Sequence, residues 1–242
     1  MDFFNLDLAL AAASTIVAGL VYGFAGFGSG YVLIPIFSLI FGVREAVAVI
    51  AIMAVMGGIG MMTNSIRRVE WPQIGPMCVF ASLTTPMGIV ILLSVDPDLM
   101  RRIIGALVIV SAAALMMGVV YKGTRNMLTS AVTGVFVGFA HGAASLGGLT
   151  ASLYILSSEK SASTQRAGII VISTLVSAIT AVILTVQGTV DMPVAARSLI
   201  LMIPFGITVW CGTRVFSVTP GPVFRRIVLA FVMILGVITL IA

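Results

Sequence analysis

Two apolar runs constrain this 242-residue chain most, because each is too long for one membrane crossing and is broken by glycine. A transmembrane helix needs about 20 residues to cross about 30 Å of hydrocarbon. Residues 8–42 and 127–158 would form continuous helices of roughly 50 Å. Glycine-rich stretches interrupt them at Gly23–Gly30 and Gly138–Gly148. The arms around the first break, about 15 and 12 residues, are too short to cross. This favours a re-entrant hairpin over a single tilted crossing with an unwound centre.

The composition places the chain in a membrane. Apolar residues make up 60% of it and charged residues 9%, whereas soluble domains carry about 25% charged residues. This excludes a soluble enzyme, a disordered tail and a disulfide-stapled secreted domain. We therefore expect an all-α polytopic membrane protein with two hairpins and six crossing helices. The predicted crossings are 44–63, 74–95, 99–120, 166–187, 194–215 and 222–242.

The basic residues predict the orientation, because short cytoplasmic loops are enriched in Lys and Arg. With two hairpins and six crossings, one side is richer in basic residues and is predicted to be cytoplasmic. Both termini then lie outside, in the periplasm, and the protein is a multi-pass protein of the inner (plasma) membrane. The basic-rich side carries Arg67, Arg68, Lys122, Arg125, Lys160, Arg166, Arg214, Arg225 and Arg226, and the other side carries Arg44, Arg101, Arg102 and Arg197.

The two glycine breaks align without a gap at an offset of 119 residues, which predicts an internal repeat. The halves are 1–121 and 122–242, each with one hairpin and three crossings. Because three is odd, the halves must have opposite orientation, and inverted repeats with broken helices are typical of secondary transporters. The alternative is a chance match of common residues. The aligned pairs are Gly19 with Gly138, Gly23 with Gly142, Ala25 with Ala144, and Gly28 with Gly147.

The glycine tips are the predicted substrate site. Glycine allows backbone N–H groups to approach a ligand closely, and the helix that begins after the tip adds a positive dipole end. All eight acidic residues lie in loops or at the ends of spans, which favours an anion over a cation. The alternative is that these glycines only permit close helix packing. The predicted substrate-binding residues are Gly26, Gly28, Ser29, Gly30, His141, Gly142, Ser145, Gly147 and Gly148.

Further polar residues have two readings each. Arg44 and Arg166 start the crossings after the hairpins and would either attract anions or anchor helix ends at the interface. Tyr22, Ser173 and Ser177 would line the path, although the two serines also suit bonding between helices. His141, the single histidine, would either contact substrate or pack against a backbone carbonyl. Because Tyr22 aligns with it, a symmetric role would be hydrogen bonding.

The sequence contains no motif for ATP hydrolysis or for metal binding. It has no phosphate-binding loop for ATP and no Cys or His cluster for a metal. We expect no cofactor, no catalytic residues and no enzyme activity. The expected partners are a small anionic substrate and the lipid bilayer, with no nucleic acid. A homo-oligomer remains open.

The motifs resemble the sulfite exporter TauE/SafE family, also called the 4-toluene sulfonate uptake permeases. The similarity rests on the stretch Gly19–Gly30, the following Val32–Pro35, the step Val43–Ala48, and a weaker second copy at Gly142–Gly148 with Arg166. In this sequence Ser29 interrupts the usual glycine triplet, and the second copy carries His141. The resemblance implies transport of sulfite, sulfoacetate or a similar organosulfonate, most often as export. A carrier of another anion such as a carboxylate, and an anion channel, are the alternatives.

Overall fold

The computed structural model describes residues 6–117 and 121–218, and these parts of the chain fold into nine α-helices. This confirms the all-helical fold. The predicted last span, 222–242, lies outside the described residues. The helices are α1 (Leu6–Ala25), α2 (Ser29–Ile40), α3 (Val43–Ile66), α4 (Trp71–Ser94), α5 (Pro97–Met116), α6 (Met127–Ala144), α7 (Gly147–Ile155), α8 (Ala162–Val186) and α9 (Met192–Val218).

Six of these helices are long and apolar enough to cross a membrane: α1, α3, α4, α6, α8 and α9. The chain is therefore a multi-pass membrane protein. The set differs from the prediction in two ways. The first arms of both hairpins, α1 and α6, reach membrane-spanning length. Helix α5 is 20 residues long but does not belong to the set, and it carries Asp98, Arg101 and Arg102 near its start.

The predicted length of the first hairpin arm was wrong. Helix α1 has 20 residues rather than about 15, because it continues through Gly19 and Gly23. Both glycines face α9 so closely that a Cβ at Gly23 would overlap the carbonyl of Val209. Packing against a neighbouring helix thus keeps these two glycines helical, and the chain breaks only at residues 26–28.

The helices pair across the two halves of the sequence. Helix α1 packs along α9, α6 packs along α4, and α3 packs on α8. The pair α6 and α4 runs in the same direction, because Gly134, Gly138 and Gly142 contact Met77, Ala81 and Thr85 in turn. Helices α1 and α9 also run in the same direction, since Gly19 and Gly23 meet Phe205 and Val209.

The bundle has two ends, which we name after one acidic residue at each. At the Glu45 end, Glu45 at the start of α3 pairs with Arg197 near the start of α9. At the Glu70 end, Glu70 before α4 pairs with Lys160 before α8. Helices α4 and α9 therefore start at opposite ends. Since α6 runs with α4 and α1 runs with α9, the two first arms run in opposite directions.

The second broken run is a hairpin with both feet at the Glu70 end. Arg125, just before α6, donates to the carbonyl and the hydroxyl of Ser157, just after α7. Higher up, Ser130 of α6 lies 2.9 Å from the hydroxyl of Tyr154 of α7. The first run has its feet at the other end, because α1 runs with α9 from the Glu45 end and α2 leads directly into α3.

Helix boundaries recur at the offset found in the sequence. Helices α1 and α6 end at Ala25 and Ala144, and α3 and α8 begin at Val43 and Ala162. Both pairs are separated by 119 residues, the spacing of the aligned glycines. The division into repeats at 121/122 stays a prediction that these boundaries support.

Candidate functional site

The tips of the two hairpins meet inside the bundle. The Tyr31 hydroxyl, at the start of α2, donates to the Leu146 carbonyl over 2.5 Å. Beside this bond, a Cβ at Gly30 would overlap the carbonyl oxygen of Ser145. Gly148 packs on the Phe27 side chain. Glycine is needed at residue 30 because it lets two backbone segments come together directly.

Both first arms end in the same way. Gly26 has a φ of 82° and its N–H donates to the Tyr22 carbonyl over 2.7 Å. At the matching position, Ser145 has a φ of 55° and its N–H donates to the His141 carbonyl over 2.7 Å. Left-handed backbone at a helix end lets the last carbonyls find a donor while the chain turns away. Ser145 adopts this conformation although it is not glycine, which costs free energy.

The second arms begin without a side-chain cap. Gly28 precedes α2 and Leu146 precedes α7, and neither makes a side-chain bond to the helix start. The first amides of a helix have no partner within it and carry the positive end of the helix dipole. The backbone N–H groups of Ser29 and Gly30, and those of Gly147 and Gly148, are therefore hydrogen-bond donors at the tips. An oxyanion is the ligand that such donors suit.

Several polar side chains at the tips, on α6 and on α8 are buried. Ser29, Ser145, His141 and Ser173 are each no more than 6% exposed. Among the described residues, no partner reaches the hydroxyls of Ser145 and Ser173 or Nδ1 of His141. Buried polar atoms without a partner are costly and call for a missing one, such as a water or a ligand. The opposite ring nitrogen of His141, Nε2, lies 3.0 Å from the Ser177 hydroxyl.

Tyr22 and His141 occupy matching places. The Tyr22 hydroxyl donates to the Ala54 carbonyl of α3 over 3.1 Å and lies beside Thr174 of α8. His141 contacts Ser177 of α8. Each residue thus ties a first arm to the third helix of its own half. Both residues make hydrogen bonds within the protein, and a shared hydrogen-bonding role toward substrate stays a prediction.

The two predicted arginines lie in different places. Arg166, in the first turns of α8, donates through Nε to the Phe24 carbonyl over 3.0 Å and through Nη2 to the Gly23 carbonyl. It therefore supplies donors to the end of α1, next to the first tip. Arg44 is exposed and donates to the Leu93 carbonyl at the end of α4, over 2.6 Å. Only Arg166 belongs to the neighbourhood of the tips.

Gly142 lies away from the tip contacts. It is within α6, where a Cβ would overlap the carbonyl of Thr85. Gly142 therefore fits the alternative interpretation, in which the glycines permit close helix packing. Tyr31, Phe27 and Leu146 form the contact between the tips and were not among the predicted site residues. Tyr31 had a signal, as the first hydroxyl-bearing aromatic residue after the first break.

Opposed broken helices inside an apolar bundle are typical of membrane proteins that act as secondary transporters. The chain belongs to the sulfite exporter TauE/SafE family, whose family model matches residues 11–239. It is thus a member of a family of membrane transporters that export sulfite and related anions, as the sequence motifs implied. No curated protein and no solved structure matches the chain.

Proposed function

We propose that this protein is a secondary transporter that exports a small sulfur-containing oxyanion or organosulfonate, such as sulfite or sulfoacetate, by alternating access. The single observation that carries this proposal is the meeting of the two hairpin tips at Gly30 and Ser145. It brings together two helix starts without side-chain caps and buried hydroxyls without partners among the described residues.

The charges near the tips support an anion. Among the described residues, acidic side chains lie at helix ends and in loops, and the nearest charged group to a tip is Arg166. A permanently ionised sulfonate needs donors and no carboxylate. Membrane voltage that is negative inside drives one anionic charge outward with about 2.3 kcal/mol per 100 mV, so export needs no coupling carboxylate.

The two ion pairs support alternating access. Glu45–Arg197 and Glu70–Lys160 each join the first half of the chain to the second, and they lie at opposite ends of the bundle. A rocking motion of one half against the other would separate one pair while the other stays closed. Both pairs are closed in the present structure.

The test is uptake of radiolabelled sulfite into proteoliposomes with a potassium diffusion potential. We expect saturable uptake that accelerates when the destination compartment is positive. Excess unlabelled sulfoacetate should compete and acetate should not. Competition by acetate instead would favour a carboxylate carrier, and conductance without saturation would favour a channel.

Ligand binding gives a second test that does not depend on transport direction. Thermal unfolding of the purified protein is followed with sulfite, sulfoacetate, acetate and chloride at fixed ionic strength. A ligand at 100 times its dissociation constant stabilises the folded state by about 2.7 kcal/mol. We expect this shift with the sulfur oxyanions and none with acetate or chloride.

A further inference from the structure

A second polar site lies at the Glu70 end, separate from the tips. A cleft of about 470 Å³ opens between the start of α4, the start of α6 and the loop after α7. Its lining includes Gln73, Arg125, Ser158 and Lys160. The surrounding loops are those in which the sequence concentrates Lys and Arg, and they are predicted to be cytoplasmic.

Two of the residues that line the cleft have donors without acceptors among the described residues. Arg125 is fixed by its bonds to Ser157, yet its Nε is buried without a partner among the described residues. The side-chain amide nitrogen of Gln73 is also buried without a partner there. Buried donors without acceptors are costly unless a ligand supplies oxygen atoms. An arginine held in one orientation is suited to a sulfonate or a phosphate.

The acidic residues of the cleft leave this donor set available. Glu70 is engaged by Lys160 over 2.6 Å. Glu159 also lines the cleft, but no carboxylate of the described chain lies within ion-pair distance of Arg125. The Arg125 guanidinium thus forms no ion pair within the described part of the protein.

We propose that this cleft is an oxyanion subsite that binds a sulfonate or phosphate group through Arg125 and Gln73. Two sources share this chemistry: the transported anion, waiting on the predicted cytoplasmic side, and the headgroup of an anionic phospholipid. If the ligand is the transported anion, the inference rests on the proposed function. If the ligand is the phospholipid headgroup, it does not.

The experiment compares wild-type protein with Arg125→Gln and Gln73→Leu in phosphatidylcholine nanodiscs. Calorimetric titration with methanesulfonate measures binding of a small sulfonate, which represents the transported anion. Native mass spectrometry after incubation with phosphatidylglycerol measures binding of the phospholipid. Gln73→Leu leaves the bonds between Arg125 and Ser157 untouched, so it tests the site without loosening the base of the second hairpin. Arg102→Gln, which removes an exposed charge on α5, is the matched control.

We expect both cleft variants, and not the control, to bind one of the two ligands about tenfold more weakly. This is the effect of losing one hydrogen bond to a charged group. Weakened methanesulfonate binding identifies the transported anion as the ligand, and weakened phosphatidylglycerol retention identifies lipid. Equal values for both ligands in wild type and variants would overturn the subsite.

Sulfite uptake by the same preparations separates the two proposals. Uptake by the wild type together with unchanged binding in Arg125→Gln would overturn the proposed oxyanion subsite alone. Binding that depends on Arg125, without uptake of any sulfur oxyanion by the wild type, would overturn the proposed function alone.

Discussion

At the scale of single residues, the closest approach between the two hairpins is at Gly30. Its Cα faces the Ser145 carbonyl so closely that a methyl group has no room. We expect Gly30→Ala to push the tips apart, to destabilise the protein by about 1–3 kcal/mol as overpacking does, and to reduce sulfite uptake strongly.

The matched control for Gly30→Ala is Gly60→Ala. Gly60 lies in α3, and no described atom comes within 4 Å of the place that an alanine methyl group would occupy there. Alanine should therefore stabilise the helix by up to about 1 kcal/mol. Thermal unfolding and uptake are measured for both variants. Equal behaviour of the two would show that the tip contact has no special role.

The bond between His141 and Ser177 gives a second prediction at this scale. Ser177→Ala leaves Nε2 of a buried histidine without its partner at 3.0 Å, and Nδ1 has none among the described residues. We expect a loss of about 1–3 kcal/mol, the cost of an unsatisfied buried polar group. Ser198→Ala is the control, because that buried hydroxyl bonds to the Val194 carbonyl of its own helix. Denaturant unfolding that ranks the two variants equally would contradict the prediction.

At the scale of helices, the end of α1 depends on a side chain from the other half. Arg166 contacts the carbonyls of Gly23 and Phe24 with two different nitrogens. A lysine keeps the charge but lacks the planar fork. We expect Arg166→Lys to destabilise the protein by about 1–3 kcal/mol and to lower the uptake rate.

Arg44→Lys is the comparison for that variant. Arg44 also donates to a carbonyl at a helix end, that of Leu93, but it is exposed and lies away from the tips. Its replacement should leave uptake near the wild-type rate. If Arg44→Lys lowers uptake as much as Arg166→Lys, the special position of Arg166 is refuted.

Helix positions were predictable from the sequence where charges and glycines bound an apolar run. The breaks near Gly26 and Ser145 were located correctly. The extent of α1 was not, because whether Gly19 and Gly23 break a helix or pack against one depends on α9, which lies far along the chain. The two carbonyls that accept from Arg166 could not be predicted for the same reason, because the sequence does not show which carbonyls a long side chain reaches.

At the scale of the whole molecule, the two ion pairs predict how the halves move. Cysteines are introduced as Glu45→Cys with Arg197→Cys, or as Glu70→Cys with Lys160→Cys, in a chain lacking Cys78 and Cys211. A short bifunctional thiol reagent then ties the two halves at one end. We expect either cross-link to abolish sulfite uptake and a reducing agent to restore it, because alternating access must open both ends in turn.

The control cross-link joins Asp98→Cys and Arg101→Cys. These residues form an ion pair within α5, so both belong to one half. Uptake should survive this cross-link. Uptake that persists with either end tied would contradict a rocking mechanism and would favour a channel.

The pairing of α1 with α9 also has a consequence for how the protein is made. Helix α1 contacts a helix that lies roughly 190 residues further along, and at about 5–20 residues per second the ribosome needs roughly 10–40 s to reach it. Until then the glycine face of α1 lacks the helix on which it packs, whereas α6 follows its partner α4 in the sequence. Helix α1 is therefore expected to gain its main packing partner only late in the biogenesis of this protein.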